Sequence, residues 1–224
     1  MIVTIRKQPG DLLGKLLAII LLSSCSLGID TAVAGEKARD NWTAHTARVI
    51  AAQTPTLMRK LHVPGVSIAL VEGGRVSWVG AYGSANARTK RRVDTNTLFE
   101  AASMSKPLFT YATLKLVEGG VMDLDRPLVE YLDEPYLPDQ PKHRLITARM
   151  VMNHTSGFPN WRPNGWLGGK PLKIRFEPGS RHGYSGEGFL YLQRVVEHIT
   201  GKPLQTFMRK KLLEPIGMTS SSYR

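Results

Sequence analysis

The stretch Glu100–Gly120, EAASMSKPLFTYATLKLVEGG, decides how the chain is read. Ser103 and Lys106 stand three residues apart at the mouth of a long apolar run. Leu108, Phe109, Tyr111, Ala112, Leu114, Leu116 and Val117 occupy most of a helical circumference, which predicts a largely buried helix over Met104–Glu118. Ser103, Lys106, Thr110 and Thr113 follow at spacings of three, four and three, so they share one polar stripe. A polar stripe on a buried helix must meet partners or a water-filled cleft. Proline is tolerated only in a helix's first turn, so Pro107 puts Ser103 at the N-terminal end. Backbone N–H groups and the helix dipole there favour a developing anion.

Two readings of the pair stay open at this level. Residues three apart on a helix have β-carbons about 5–6 Å apart, so the lysine amine can reach the serine hydroxyl. A serine hydroxyl is a poor nucleophile until a base takes its proton. An exposed lysine, with an ordinary pKa of about 10.4, is protonated at neutral pH and cannot be that base. Catalysis therefore requires Lys106 to be buried in a cleft; otherwise Ser103 is a helix cap and Lys106 a solvated side chain. Composition does not choose between them. With 14 serines and 13 lysines in 224 residues, Ser-x-x-Lys is expected about 0.8 times by chance, and it occurs once.

Outward from this stretch, the chain reads as folded from about Asn41. TARVIAAQTPTLMRKL, residues 46–61, has helical spacing and is stopped by His62-Val63-Pro64-Gly65. GVSIALVEGGRVSWVGAYGSA, residues 65–85, predicts a β-hairpin turning at Glu72-Gly73-Gly74. Residues 119–144 read as loops, 146–157 as a short helix N-capped by Thr147, and 158–184 as loop with one short strand at Leu172–Phe176. Helices are predicted at 186–201, closed by Gly201, and at 203–218. Strands first and helices afterwards give an α+β fold, an antiparallel sheet flanked by helices with a mostly helical region. A lone hairpin is marginal, and nothing after Gly83 supplies a strong strand pair to extend it.

Apolar and charged contents of 42% and 21% exclude wholesale disorder. The net charge of +12 is spread along the chain, with one tight group, RTKRR, at Arg88–Arg92. Without zinc-finger spacing or a basic helix with interleaved aromatics, this suits non-specific attraction to an anionic surface rather than nucleic-acid reading. A solvated basic loop is the simpler account of Arg88–Arg92. Arg6, Lys7 and Lys15 precede the apolar Leu16–Leu22, which predicts a signal peptide within residues 1–34 and a mature domain over 35–224. Two cleavage sites compete: LSSC, which resembles a bacterial lipobox and would make Cys25 a lipidated first residue, and AVA before Gly35. Cys25 is the only cysteine, so no intramolecular disulfide is expected. The expected location is beyond the inner membrane, periplasmic or lipid-anchored, a lipid on Cys25 and a basic surface together making two membrane signals. The chain holds no His-Glu-x-x-His, Cys-x-x-Cys, Walker loop or Gly-x-Ser-x-Gly elbow; GYSGEG has Glu187 where the elbow needs glycine. His154 and His182 lack a carboxylate–histidine metal spacing and read as loop or packing residues, so no metal and no cofactor are expected.

FEAASMSKPLFTYATLKLVEGG resembles the first active-site motif of the serine β-lactamase and penicillin-binding protein superfamily, in its class C-like branch. The similarity continues through VPGVSIALVEGGRVSWVGAYGSAN upstream and MVMNHTSGFPNW, FEPGSRHGYSGEGF and LLEPIGMTSS downstream, covering roughly residues 61–222. The resemblance implies a β-lactamase/transpeptidase-like fold and hydrolysis of an ester, β-lactam or D-amino-acid peptide through an acyl-enzyme. It makes Ser103 the acylated nucleophile and Lys106 its base or proton relay. It aligns Tyr184-Ser185-Gly186 with the family's Tyr-x-Asn motif, making Tyr184 a second proton-transfer residue and Gly186 a substrate-binding position. Two departures stand out. Gly186 replaces an asparagine that contacts the lysine or a substrate amide, which tilts the expectation towards esters or other small acyl substrates. The family's third motif, Lys/His-Thr/Ser-Gly on a later strand, is absent before Arg224, so the chain is expected to be C-terminally truncated. That strand supplies one of two oxyanion donors, a loss of about 2.7–4 kcal/mol. The alternative expectation is a non-catalytic fragment or binding module. NWRPNGWLGG, residues 160–169, suggests an aromatic, glycine-rich rim.

Overall fold

The structure is a computed structural model that describes residues 30–137, 139–162 and 172–223, with side chains from residue 42 onward. The expected signal segment, Cys25 and most of the 160–169 rim lie outside the described residues. The chain divides into two compact units between Glu100 and Ala101.

In the first unit, helix α1 (Asp30–Lys60) begins upstream of the expected Asn41 and runs through Ala32–Ala34. Arg59 and Lys60 in its last turn complement the negative end of the helix dipole. Strands β1 (Gly65–Glu72) and β2 (Arg75–Asn86) form the predicted antiparallel hairpin, from Gly65 opposite Gly83 to Glu72 opposite Arg75. Gly73 and Gly74 have φ of 54° and 76°. Both central residues of a two-residue turn are thus left-handed, as a type I′ turn requires, and glycine reaches that region without a Cβ penalty. The basic loop is more ordered than a free solvated segment. Asn86 Oδ1 accepts N–H bonds from Arg88 (2.9 Å) and Thr89 (3.0 Å), and the turn brings β3 (Arg91–Arg92) back against β2. Its side chains remain exposed. Among the described residues the sheet has the order β1-β2-β3, so the hairpin gains only a two-residue neighbour.

The second unit is helical. A single 3-10 turn, Ala102–Met104, leads into α2 (Ser105–Glu118). α3 (Ala148–Met152) is capped as predicted: Thr147 Oγ1 accepts the Met150 N–H at 3.3 Å. α4 (Gly186–Thr200) starts on Ser185, whose Oγ accepts the Gly188 N–H at 2.8 Å, and ends at Gly201, φ 61°. Tyr191, Leu192, Val195 and Val196 on α4 are fully buried with Leu128, Ile146, Phe158 and Phe207. Each such aliphatic or Phe side chain contributes about 1.5–3 kcal/mol.

Three expectations change. Residues 172–176 form no strand: the Ile174 N–H bonds to the Gln140 side chain at 2.8 Å and the Arg175 N–H to the Gly157 carbonyl at 2.8 Å. A side chain and a loop carbonyl have taken the place of a partner strand. The last predicted helix is α5 (Leu204–Met208) followed by a π turn, Arg209–Leu213. The wider turn puts Phe207 and Met208 on the same face as Leu212 and Leu213, five residues on, and all four are buried. Finally, α2 buries one face only, through Phe109, Ala112, Thr113 and Leu116, while Tyr111 is 53% exposed. No helix among the described residues is long and apolar enough to cross a membrane.

Candidate active site

Ser103 is presented by a strained turn. Ala102, immediately before it, has φ 44°, a left-handed conformation uncommon for a residue with a Cβ. The Ser105 hydroxyl donates to the Ala102 carbonyl at 2.7 Å and braces that turn. α2 then begins at Ser105, which places Lys106 and Pro107 in its first turn. Lys106 Nζ donates to Ser103 Oγ at 2.9 Å, and Lys106 is half-buried rather than solvated. Thr110 continues the stripe along the same cleft. Thr113 leaves it: fully buried, it donates to the Phe109 carbonyl at 2.9 Å, so the stripe is satisfied inside the helix.

Tyr184 arrives from the loop before α4 and lines the same cleft as Ser103 and Lys106. Interaction with the Ser103 hydroxyl first, then with Lys106, holds its phenol below the ordinary value, opposed by desolvation and helped by the Lys106 charge. Lys106 Nζ lies 5.2 Å from the Tyr184 ring centroid and 5.6 Å from that of Phe189, within cation–π range of both. The three groups open onto a cleft of about 450 Å³ whose apolar walls include Tyr111, Leu114, Met152 and Phe189.

The segment 154–160 cradles the loop that carries Tyr184. His154, φ 62°, accepts the Gly183 N–H on its carbonyl at 2.8 Å and the Ser185 N–H on ring Nδ1 at 3.1 Å. Its imidazole packs 4.4 Å from the Tyr184 ring and 5.8 Å from that of His182. Burial, then the charges of His182 and Lys106, push the His154 imidazole below its usual value. The Ser185 hydroxyl donates to the Pro159 carbonyl at 3.0 Å. Gly186 donates its N–H to Asn160 Oδ1 at 3.1 Å, and a Cβ there would stand 2.6 Å from the Asn160 carbonyl oxygen. Next along, Glu187 is fully buried and paired with Arg162, whose Nε and Nη2 donate at 3.1 and 2.8 Å while its backbone N–H donates at 3.1 Å.

Over residues 50–224 the sequence matches the family described as Beta-lactamase. The chain belongs to the beta-lactamase family. This beta-lactamase-family chain is 29% identical over 185 residues to penicillin-binding protein 4* of Bacillus subtilis (strain 168), covering 74% of the chain and 39% of that protein. It is 28% identical over 194 residues to esterase EstB of Burkholderia gladioli, covering 74% of the chain and 48% of the esterase. A solved class C beta-lactamase superposes with a TM-score of 0.68 at 25% identity, over 78% of this chain and 50% of that one. The chain thus spans less than half the length of these two curated relatives. These matches agree with the superfamily resemblance and with the α+β, β-lactamase/transpeptidase-like fold class.

Of the sequence-predicted residues in this family member, Ser103, Lys106 and Tyr184 come together in one cleft, Ser103 and Lys106 joined by a hydrogen bond. Gly186 does not join them: it opens α4 and faces Asn160, outside the cleft lining. Among the described residues no group of three or more His, Cys, Asp or Glu side chains is placed to hold a metal. Sequence reasoning missed the involvement of His154, Phe189 and the Arg162–Glu187 pair. For Glu187 a signal existed, a lone acid between two glycines at the start of an apolar helix.

Proposed function

We propose that the chain is a serine hydrolase that works through an acyl-enzyme on Ser103. The observation that carries this reading is the cluster in which Lys106 Nζ donates to Ser103 Oγ at 2.9 Å with the Tyr184 ring 5.2 Å from Lys106 Nζ, all three lining one cleft. Its surroundings hold the Tyr184 phenol below its ordinary value, which suits Tyr184 to accept a proton with Lys106 beside it. Ser103 Oγ attacks the acyl carbon and its proton passes to the Tyr184 oxygen. The tetrahedral anion collapses, the acyl–leaving-group bond breaks, and Tyr184 returns the proton to the departing oxygen. Water then attacks the acyl-enzyme, again losing its proton to Tyr184, and Ser103 recovers it as the acid departs. A positioned acid–base residue contributes about 10²–10⁴-fold.

The favoured substrates are esters of small acyl groups. An Asn side chain at 186 is sterically excluded by Asn160, so the site lacks the amide that recognises β-lactams and peptides in the family motif. β-Lactams and D-amino-acid peptides from cell wall are the other members of the substrate class, with no nucleic-acid partner. The export signal in residues 1–34 places the protein beyond the inner membrane, by lipidation of Cys25 or by cleavage after Ala34. Mass spectrometry of the mature N-terminus distinguishes the two, and an unprocessed Met1 would overturn export.

The exposed Tyr111 and the open cleft favour a second reading, covalent or non-covalent capture without turnover. Steady-state assays on an activated phenyl ester, a chromogenic β-lactam and a D-Ala-D-Ala peptide separate the readings. The expected result is ester turnover that disappears in Ser103→Ala and Lys106→Met. Labelling by a fluorophosphonate without any turnover would favour capture, and turnover that survives Ser103→Ala would overturn both.

A further inference from the structure

His154 was read from sequence as a packing residue, yet its placement around Tyr184 is specific. Its carbonyl takes the N–H of the residue before Tyr184 and its Nδ1 takes the N–H of the residue after, at 2.8 and 3.1 Å. Its ring lies 4.4 Å from the phenol ring and lines the same cleft. The Nδ1 contact fixes the protonation state as well as the position. An N–H donor needs a lone pair opposite it, so Nδ1 is bare and any ring proton sits on Nε2. The left-handed backbone at φ 62° directs the side chain across the loop, a conformation that His adopts several-fold more readily than most residues.

We propose that His154 is a positioning residue for the Ser103 reaction: its neutral imidazole locks Tyr184 against Ser103 and Lys106, and protonation of Nδ1 releases that lock. The proposal rests on the serine-hydrolase reading, because it assigns Tyr184 the proton transfer. A proton on Nδ1 would face the Ser185 N–H, turning a hydrogen bond into a donor–donor clash. The groups facing the imidazole are Lys106 from α2 and His182 and Tyr184 from the loop, with the apolar Phe189 from α4. None of these is a carboxylate, and Lys106 and His182 both oppose an imidazolium. The lock therefore stays closed through neutral pH and opens only below the usual imidazole range of about 6.5.

The consequence is a second break in the pH profile. The acylation rate rises with pH as Tyr184 becomes phenolate, and it falls more steeply at the acid end, where His154 takes a proton and Tyr184 is released. Asparagine suits the test at this position, since it tolerates a left-handed backbone and offers Oδ1 as a non-titrating acceptor near the place of Nδ1.

The experiment measures the rate of labelling by a fluorophosphonate against pH for wild type, His154→Asn, His154→Phe and His182→Gln, with melting curves for each. His154→Asn is expected to lose the acid-end steepening while keeping most of the neutral-pH rate. His154→Phe keeps a ring face but no acceptor, and is expected to label about tenfold to 100-fold more slowly at neutral pH. His182→Gln removes a repelling cation and is expected to move the acid break to higher pH. A second readout needs no reaction: the tyrosinate absorbance change assigned to Tyr184 by difference from Tyr184→Phe. It should shift towards the ordinary phenol range in His154→Phe. An unchanged acid break in His154→Asn, or an unchanged Tyr184 titration in a folded His154→Phe, would overturn the proposal. Labelling that persists in Ser103→Ala would instead overturn the nucleophile assignment, while the Tyr184 titration would still decide the role of His154.

Discussion

Replacing Arg162 by methionine should unfold the helical unit far more readily than a surface substitution would. Glu187 is fully buried in the first turn of α4, and Arg162 supplies it with two side-chain donors and a backbone N–H. The same guanidinium reaches the Tyr136 hydroxyl at 3.3 Å, and Tyr136 stacks on the buried Tyr191 at 4.5 Å. Arg162→Met keeps the backbone bond and most of the packing volume but strands a carboxylate out of water. Breaking one side of a buried pair costs about 3–5 kcal/mol. For a chain of this size each kcal/mol moves the midpoint about 2–4 °C, so a fall of about 6–20 °C is expected by calorimetry. Removing both charges is different. Arg162→Met with Glu187→Met leaves no orphan charge and should recover to within about 1–2 kcal/mol of wild type, since apolar replacement of a whole buried pair is often neutral. A loss below about 1 kcal/mol in the single variant, or a double variant no better than the single, would refute the reasoning. Urea denaturation at fixed pH checks both numbers.

Other substitutions probe separate parts of the structure. Gly186→Asn, which restores the family residue, should destabilise by about 1–3 kcal/mol and should not add β-lactam hydrolysis, because its Cβ would clash with the Asn160 carbonyl oxygen, 2.6 Å away; denaturant midpoints and a chromogenic β-lactam assay read this out. Gly74→Val at the hairpin turn puts a β-branched residue at φ 76° and should destabilise by about 1–2 kcal/mol, by urea denaturation. Lys106→Met removes an interaction that favours the Tyr184 phenolate, so the Tyr184 absorbance change should appear at higher pH, closer to the ordinary value of about 10. Ser103→Ala should act in the same direction, because interaction with Ser103 is the largest cause of that shift.

Much of the site was legible because it is local. Ser103, Lys106 and Pro107 fix one another through helix geometry, and the turn glycines, the Thr147 cap and Gly201 announce their elements in sequence. What could not be read depends on contacts between distant segments. Tyr184 acquires its role only when residues 154–160 fold against 183–186, some 30 positions away, and His154 does so through one ring nitrogen. The strand expected at 172–176 failed for the same reason: its apolar pattern was sound, but Gln140 and Gly157 took its hydrogen bonds. Helical periodicity overstated the burial of α2, since periodicity reports which residues are apolar and not how many faces have neighbours. The π turn at Arg209–Leu213 lies outside a 3.6-residue period and could not be found by it.

The most direct measurement is the position of the covalent adduct formed when the purified full chain meets a fluorophosphonate. The adduct should map by peptide mass spectrometry to Ser103 alone, be absent in Ser103→Ala, and form more slowly in Tyr184→Phe. An intact, folded protein that takes up no adduct, or one modified at another serine, would contradict the assignment of Ser103 as the nucleophile.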